Sequence, residues 1–323
     1  MESAIWENTR SSAAFKWLSA CRPKTLPLSA AGIVVGSFCA IAQKGSINLK
    51  VAAFGILTAA SLQVTANLAN DLGDFLNGAD IKERRGPRRY VASGEIAPKQ
   101  MKQAVIIAAL ASALFGTMLI ISALSTIGIK GAILLFGAGA LSIAAAITYT
   151  CGAFPYGYAG FGDIAVVAFF GIFAVCGTYF LHTGEFAVSS LLAALFVGFL
   201  SASVLNINNI RDIETDKKTG KVTLAVILGP KRARLYHLAL IALALAAISI
   251  YLYAHTLFAE LLVLAAFLPF FLKRALNVVK ASEAAASCRL NEELGRLSLM
   301  VVIFSLSLFV IRFVICRCFN GVW

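Results

Sequence analysis

Apolar runs long enough to cross a bilayer recur nine times along this chain, at about residues 27–43, 51–70, 103–122, 131–150, 164–181, 187–207, 237–254, 256–272 and 297–315. A helical crossing needs about 20 such residues and about 17 at the least. In lipid each segment must satisfy its own backbone hydrogen bonds, so a chain built from these runs folds as membrane-crossing helices. The expected fold class is all-α, a polytopic membrane protein of nine transmembrane helices. Composition agrees: 59% of the residues are hydrophobic and 14% charged, against about 25% charged in soluble domains, which leaves too little polar material for an aqueous skin.

The basic residues give an orientation. With the N-terminus on the inner side, alternate connections carry Arg10, Lys16, Arg22 and Lys24, then Lys82 to Lys102, then Arg211 to Arg234, then Lys273 to Arg296. The outer side and C-terminal end hold only Lys44, Lys50, Lys130, Arg312 and Arg317. Positive-inside sorting produces such a bias, and a missed helix would scramble it. The expected location is the inner (plasma) membrane, with the N-terminus cytoplasmic and the first run an uncleaved span.

The net charge of +12 lies in short clusters between apolar runs without a nucleic-acid motif, so no nucleic-acid partner is expected. The seven Cys contain no C-x-x-C pair and the three His are far apart, which disfavours zinc.

All six Asp fall near the inner ends of spans. In NLANDLGDFLNGAD (67–80), Asn67, Asn70, Asp71 and Asp74 are spaced to share one helix face; in LNINNIRDIETDKKTGK (205–221), Asn209, Asp212 and Asp216 do the same. Ionisable groups at membrane depth are costly unless they pair, hydrate or bind an ion. Two such faces at the same ends of parallel helices can converge on a common cavity. Oxygen ligands without His or Cys suit Mg²⁺, which takes one or two carboxylates plus phosphate oxygens. Neighbouring Arg84, Arg85, Arg88, Arg89, Arg211, Lys217 and Lys221 suit the rest of a phosphate. Solvated helix ends are the bland alternative; duplication of the pattern and the scarcity of Asp elsewhere weigh against it.

The connection ITYTCGAFPYGYAGFGD (147–163) has no Lys or Arg but is rich in Gly and aromatic residues, among them Tyr149 and Tyr156, and ends at Asp163. It is read either as the lip of the cavity, with aromatic faces toward a developing carbocation, or as an interfacial aromatic belt.

These motifs resemble those of the UbiA-type intramembrane aromatic prenyltransferases. RPKTLPLSAAGIVVG (22–36), PYGYAGFGD (155–163) and VLNINNIRD (204–212) are similar to the branch that prenylates 1,4-dihydroxy-2-naphthoate. The resemblance implies nine helices around a central cavity and a lateral opening for an isoprenoid tail. It also implies two Mg²⁺ ions bridging Asp71, Asp74, Asp212 and Asp216 to a polyprenyl diphosphate. Asn67, Asn70 and Asn209 complete the two motifs, and Arg22, Lys24, Arg88 and Lys221 are the implied diphosphate contacts. The implied reaction moves the polyprenyl group to 1,4-dihydroxy-2-naphthoate with decarboxylation, giving demethylmenaquinone. 4-Hydroxybenzoate or homogentisate is the alternative acceptor, and a cation-coupled transporter the alternative of another class. The expected organisation is one membrane domain: an N-terminal segment (1–24), two repeats (25–150 and 151–275), then a loop with the ninth helix (276–323).

Overall fold

The computed structural model describes residues 12–80, 86–281 and 286–320; Arg10, Lys82, Arg84 and Arg85 lie outside them. Among the described residues regular structure is helical, apart from short 3₁₀ and π stretches and one isolated bridge between Ala159 and Val222. The helices are α1 (Ala13–Ala20), α2 (Leu26–Lys44), α3 (Leu49–Leu76), α4 (Pro98–Thr148), α5 (Gly162–Thr183), α6 (Ser190–Lys218), α7 (Leu224–Ala254), α8 (Phe258–Val279) and α9 (Ala286–Asn320).

Among the described residues, α2 to α9 are the eight helices long and apolar enough to cross a bilayer. Helix α4 has 51 residues, about 76 Å of rise, more than twice the hydrocarbon thickness. It is two crossings joined at Gly128, whose φ of 64° and ψ of 178° suit a residue without a Cβ. No polar loop is needed because one residue makes the turn. The described residues thus make the nine crossings expected from the apolar runs. Helix α7 breaks likewise at Gly229 (φ 76°, ψ 166°), and Pro230 begins the rod that follows.

Several helices outrun their apolar segments. Helix α3 continues to Leu76 and α6 to Lys218, carrying both acidic stretches as helix. Helix α9 begins near Ala286 instead of about residue 297. Its added turns are held by buried Glu293, which accepts from Arg274 and Asn277 on α8 and from Arg296.

Helices α2 and α6 are the most enclosed of the bundle, whereas the others turn apolar residues outward, as Ile106, Ile107, Leu110 and Leu114 do on α4. Lipid tails cover such faces without a hydrophobic penalty, so packing comes from shape and specific pairs. Phe304 of α9 is the aromatic hub: its ring lies edge-on to Phe196, Phe267 and Phe271 at 5.3–5.6 Å. Segment 167–176 of α5 is π-helical and wedged between α2 and α6. Gly171 allows the approach to α6, since a Cβ there would stand 2.5 Å from the Ala194 carbonyl oxygen.

At the end of the bundle away from the acidic stretches, Arg312 of α9 grips fully buried Glu260 of α8 through two hydrogen bonds of 2.6 and 2.8 Å. Removing one partner strands the other charge. Arg312→Leu is expected to destabilise the protein in detergent by about 3–5 kcal/mol. Glu260→Leu combined with Arg312→Leu should recover most of that loss, as read by chemical denaturation.

Candidate active site

The acidic residues of α3 face different partners. Asp71 accepts the backbone N–H groups of Tyr90 (3.1 Å) and Val91 (3.2 Å), so its carboxylate pins the turn that follows Arg88 and Arg89. Asp74 is paired with Arg89, lies 3.7 Å from Lys221 Nζ and accepts from the Tyr158 hydroxyl at 2.8 Å. Burial and the Asp74 carboxylate push the Tyr158 hydroxyl well above the usual phenol range, which keeps it a donor. Asn70 Oδ1 accepts from Thr150 Oγ1 (3.1 Å), and Asn67 Nδ2 donates to the Cys21 carbonyl (2.9 Å). The latter bond holds the turn that presents Arg22. Arg22 itself has a φ of 54°, a left-handed conformation uncommon outside Gly and of the kind that gathers at functional sites.

On α6, Asn209, Asp212 and Asp216 are buried along one face. Arg211 forks onto Asp212 with Nε at 2.8 Å and Nη2 at 2.6 Å. Past the helix end the chain folds back: Lys221 N–H donates to the Asp216 carbonyl, and Val222 N–H to the Tyr158 carbonyl at 3.0 Å. That return carries Lys221 from the end of α6 across to Asp74.

Both faces open on one cavity of about 530 Å³, a size typical of small-molecule sites. One end is polar, lined by Asn67, Asn70 and Asp74 from α3, by Asn209, Asp212 and Asp216 from α6, and by Arg22, Arg89 and Lys221. Tyr149 and Tyr156, at the turn that closes on Gly73, and Phe169 and Phe173 of α5 are its aromatic lining. The far end is apolar, with Ile33, Gly55, Leu119, Leu135 and Leu181. The π-helical segment supplies Phe169, Phe170, Phe173 and Ala174 to this wall; π turns are frequent at functional sites.

Other expected residues lie off the cavity wall. Asp71 sits behind it as the anchor already described. Asp163 accepts from Tyr236 at 3.3 Å and neighbours Gly162, which abuts the Tyr149 hydroxyl. Lys24 is exposed, its stem beside Gly295 of α9. Arg88 too lies off the wall. Its side chain is 66% exposed and pairs with Glu95 at 2.7 Å, while Arg89 reaches the cavity, flanked by Asp74 and by Asp80 at 3.5 Å. Successive residues in a turn point different ways, and a pair of adjacent arginines does not reveal which one faces inward. Arg211 is likewise enclosed on Asp212, so it is not presented to the cavity as Lys221 is. Asn208 and Leu294 line the cavity in addition; Asn208 lies within VLNINNIRD, and nothing in the sequence marked Leu294.

Asp74, Asp212, Asp216 and the three asparagines, all on the cavity wall, carry oxygens of the kind that hold a hard divalent cation. Among the described residues no three acidic side chains form an all-protein metal cage.

Close approach of the 149–151 turn to α3 depends on Gly73 in NDLGD, where a Cβ would stand 2.6 Å from Thr150 O and Oγ1. Gly73→Ala should push that turn away. The expected outcome is a stability loss of about 1–3 kcal/mol together with a larger loss of activity, checked by thermal melts and turnover on one preparation.

Residues 29–300 match the UbiA prenyltransferase family. The chain is 44% identical to 1,4-dihydroxy-2-naphthoate octaprenyltransferase of Haemophilus influenzae over 71% of its length and 74% of that protein. It is 42% identical to the Escherichia coli protein of the same name over 84% of this chain and 87% of that one. A solved structure of a UbiA homolog from Archaeoglobus fulgidus bound to GPP and Mg²⁺ superposes with a TM-score of 0.59 at 18% identity, covering 91% of this chain and 99% of the other. The apo structure of a UbiA homolog from Aeropyrum pernix K1 gives 0.61, with 89% and 96% covered. The likeness to the solved structures supports the fold. The family match and the two sequence relatives go further: this chain belongs to the UbiA prenyltransferase family and is a membrane prenyltransferase.

Proposed function

We propose that the protein transfers a polyprenyl group from a polyprenyl diphosphate to 1,4-dihydroxy-2-naphthoate, with loss of the ring carboxylate as carbon dioxide, giving demethylmenaquinone. The observation that carries this reading is the cavity's polarity gradient: acids, amides and cations at one end, an apolar chamber at the other. A diphosphate ester of an isoprenoid has that same division. The acceptor is taken from the names of the relatives and from the wording of PYGYAGFGD and VLNINNIRD.

Mg²⁺ fits the residues present, because it retains several waters and takes only one or two carboxylates alongside phosphate oxygens. Asp74 from α3 and Asp212 and Asp216 from α6 would hold it, with Asn67, Asn70 and Asn209 as supporting oxygens. Bound there, Mg²⁺ would supply Lewis-acid stabilisation of the departing diphosphate. Arg22, Arg89 and Lys221 present fixed positive charge to the same group, a preorganised form of transition-state stabilisation. Asp71 serves at one remove, by fixing the turn that delivers Arg89. Tyr149, Tyr156 and Phe169, which line the same cavity, would stabilise the positive charge that develops on the allylic carbon. The electron-rich ring then attacks that carbon, and the apolar lining excludes competing water. The bias of basic residues toward the segments flanking the acidic end supports an inner-side site in the plasma membrane, with the N-terminus cytoplasmic. Residues 25–150 and 151–275 are proposed as the two repeats that each supply one acidic helix end.

Purified protein in detergent, where no ion gradient exists, should prenylate 1,4-dihydroxy-2-naphthoate in preference to 4-hydroxybenzoate or homogentisate. Chelation should abolish turnover and Mg²⁺ restore it. Asp74→Asn and Asp216→Asn should each lower kcat/KM by about 100-fold or more. Prenylation of another acceptor only, or undiminished turnover after chelation, would refute the reading. For orientation, single-cysteine proteins retaining exposed Cys288 or exposed Cys318 should differ towards an impermeant thiol reagent. Intact cells should label Cys318, and Cys288 only once permeabilised.

A further inference from the structure

Arg211 is the buried link between the second acidic stretch and the last helix. Its side chain is 1% exposed and its hydrogen bonds run three ways: to Asp212 through Nε and Nη2, to Asn208 Oδ1 from Nη2 (2.6 Å), and to Asn291 Oδ1 from Nη1 (2.5 Å). Asp212 lines the cavity while Arg211 does not. The guanidinium therefore meets both carboxylate oxygens from off the cavity wall. A bidentate Arg–carboxylate pair is planar and fixes geometry as well as charge, so the plane of Arg211 sets the plane of Asp212.

Two asparagines hold that plane. Asn208 lies one turn back on α6, whereas Asn291 comes from α9, 80 positions later in the chain. Asn291 has its own support. Glu293, 4% exposed, accepts from Arg274 Nη1 at 3.0 Å with both oxygens, from Asn277 Nδ2 at 2.9 Å and from Arg296 Nη1 at 3.2 Å. This clamp seats the first turns of α9 on α8. One residue beyond it, Leu294 enters the cavity wall.

We propose that Asn291 is a positioning residue for the second metal-binding stretch: by fixing the Arg211 guanidinium it fixes the plane and place of the Asp212 carboxylate at the cavity wall. The proposal rests on the functional reading above, which assigns Asp212 to a divalent cation. It gives the polar start of α9 a part in the reaction centre although it lies outside both acidic motifs.

The test uses the full chain in detergent, with Mn²⁺ as a paramagnetic probe titrated in the presence of inorganic pyrophosphate. Asn291→Ala is expected to weaken Mn²⁺ binding about tenfold, or about 1.4 kcal/mol. Asn291→Asp keeps an acceptor for Nη1 at the same reach and should stay within about threefold of wild type. Asn291→Ala deprives a buried Arg211 N–H of its acceptor and should lower the melting temperature modestly, whereas Asn291→Asp should melt as wild type does. In turnover, Asn291→Ala should raise the Mg²⁺ concentration needed for half-maximal rate while leaving KM for the aromatic acceptor unchanged. Equal Mn²⁺ binding by wild type and Asn291→Ala overturns the proposal alone. So does loss in both variants in step with a lowered melting temperature, which a purely structural role would give. Wild-type protein that fails to bind Mn²⁺ with pyrophosphate overturns the functional reading and the proposal with it.

Discussion

Carboxylates inside an apolar bundle must be met by donors or cations, and the inner architecture of this prenyltransferase follows from that requirement. An isolated charge in a medium of low polarity is far costlier than a paired one. Asp71 is met by two backbone N–H groups, Asp74 by Arg89, Lys221 and Tyr158, and Asp212 by Arg211. Asp71 and Asp74 draw partners from segments that fold back to reach them, whereas Arg211 is the neighbour of Asp212 on α6 and is itself held from α9. The turn after Arg88 and Arg89 returns to α3, the 155–159 turn bridges α3 and the end of α6, and the start of α9 closes on Arg211 from outside. The polar end of the cavity is roofed by the same contacts that make its charges tolerable.

Those contacts leave the acids usable. Asp74, Asp212 and Asp216 remain on the cavity wall with Arg22, Arg89 and Lys221 beside them. In the proposed reaction an anionic diphosphate and its cation enter a centre already close to balanced, so neither sign is buried unpaired at any stage. An aqueous site could rely on solvent for this. Within a bundle the compensating groups have to be built in.

The last helix binds this polar end to the rest of the fold. Phe304 packs among Phe196, Phe267 and Phe271 in mid-bundle, Arg312 meets Glu260 at the far end, and Glu293 and Asn291 meet α8 and α6 at the near end. A span that reads in the sequence as one more apolar run is fastened at three levels. Its register against α6 and α8 therefore also decides where Leu294 and Asn291 stand relative to the cavity.

The sequence by itself determined the solvent, the helical class and the number of crossings, because apolar length and backbone satisfaction in lipid leave few options. It also marked both acidic faces, because helical spacing is a local property: Asn67, Asn70 and Asp74, and Asn209, Asp212 and Asp216, emerge on single faces that open on one cavity. Only the tertiary structure decided what each polar group touches. It turned Asp71 to the backbone of Tyr90 and Val91, chose Arg89 over Arg88, placed Asp163 against Tyr236, and brought Asn291 to Arg211 from 80 positions away. The physical reason is that spacing along a helix fixes direction around its axis, while partners across a bundle depend on how loops return and how helices slide past one another. No local pattern of residues carries that information.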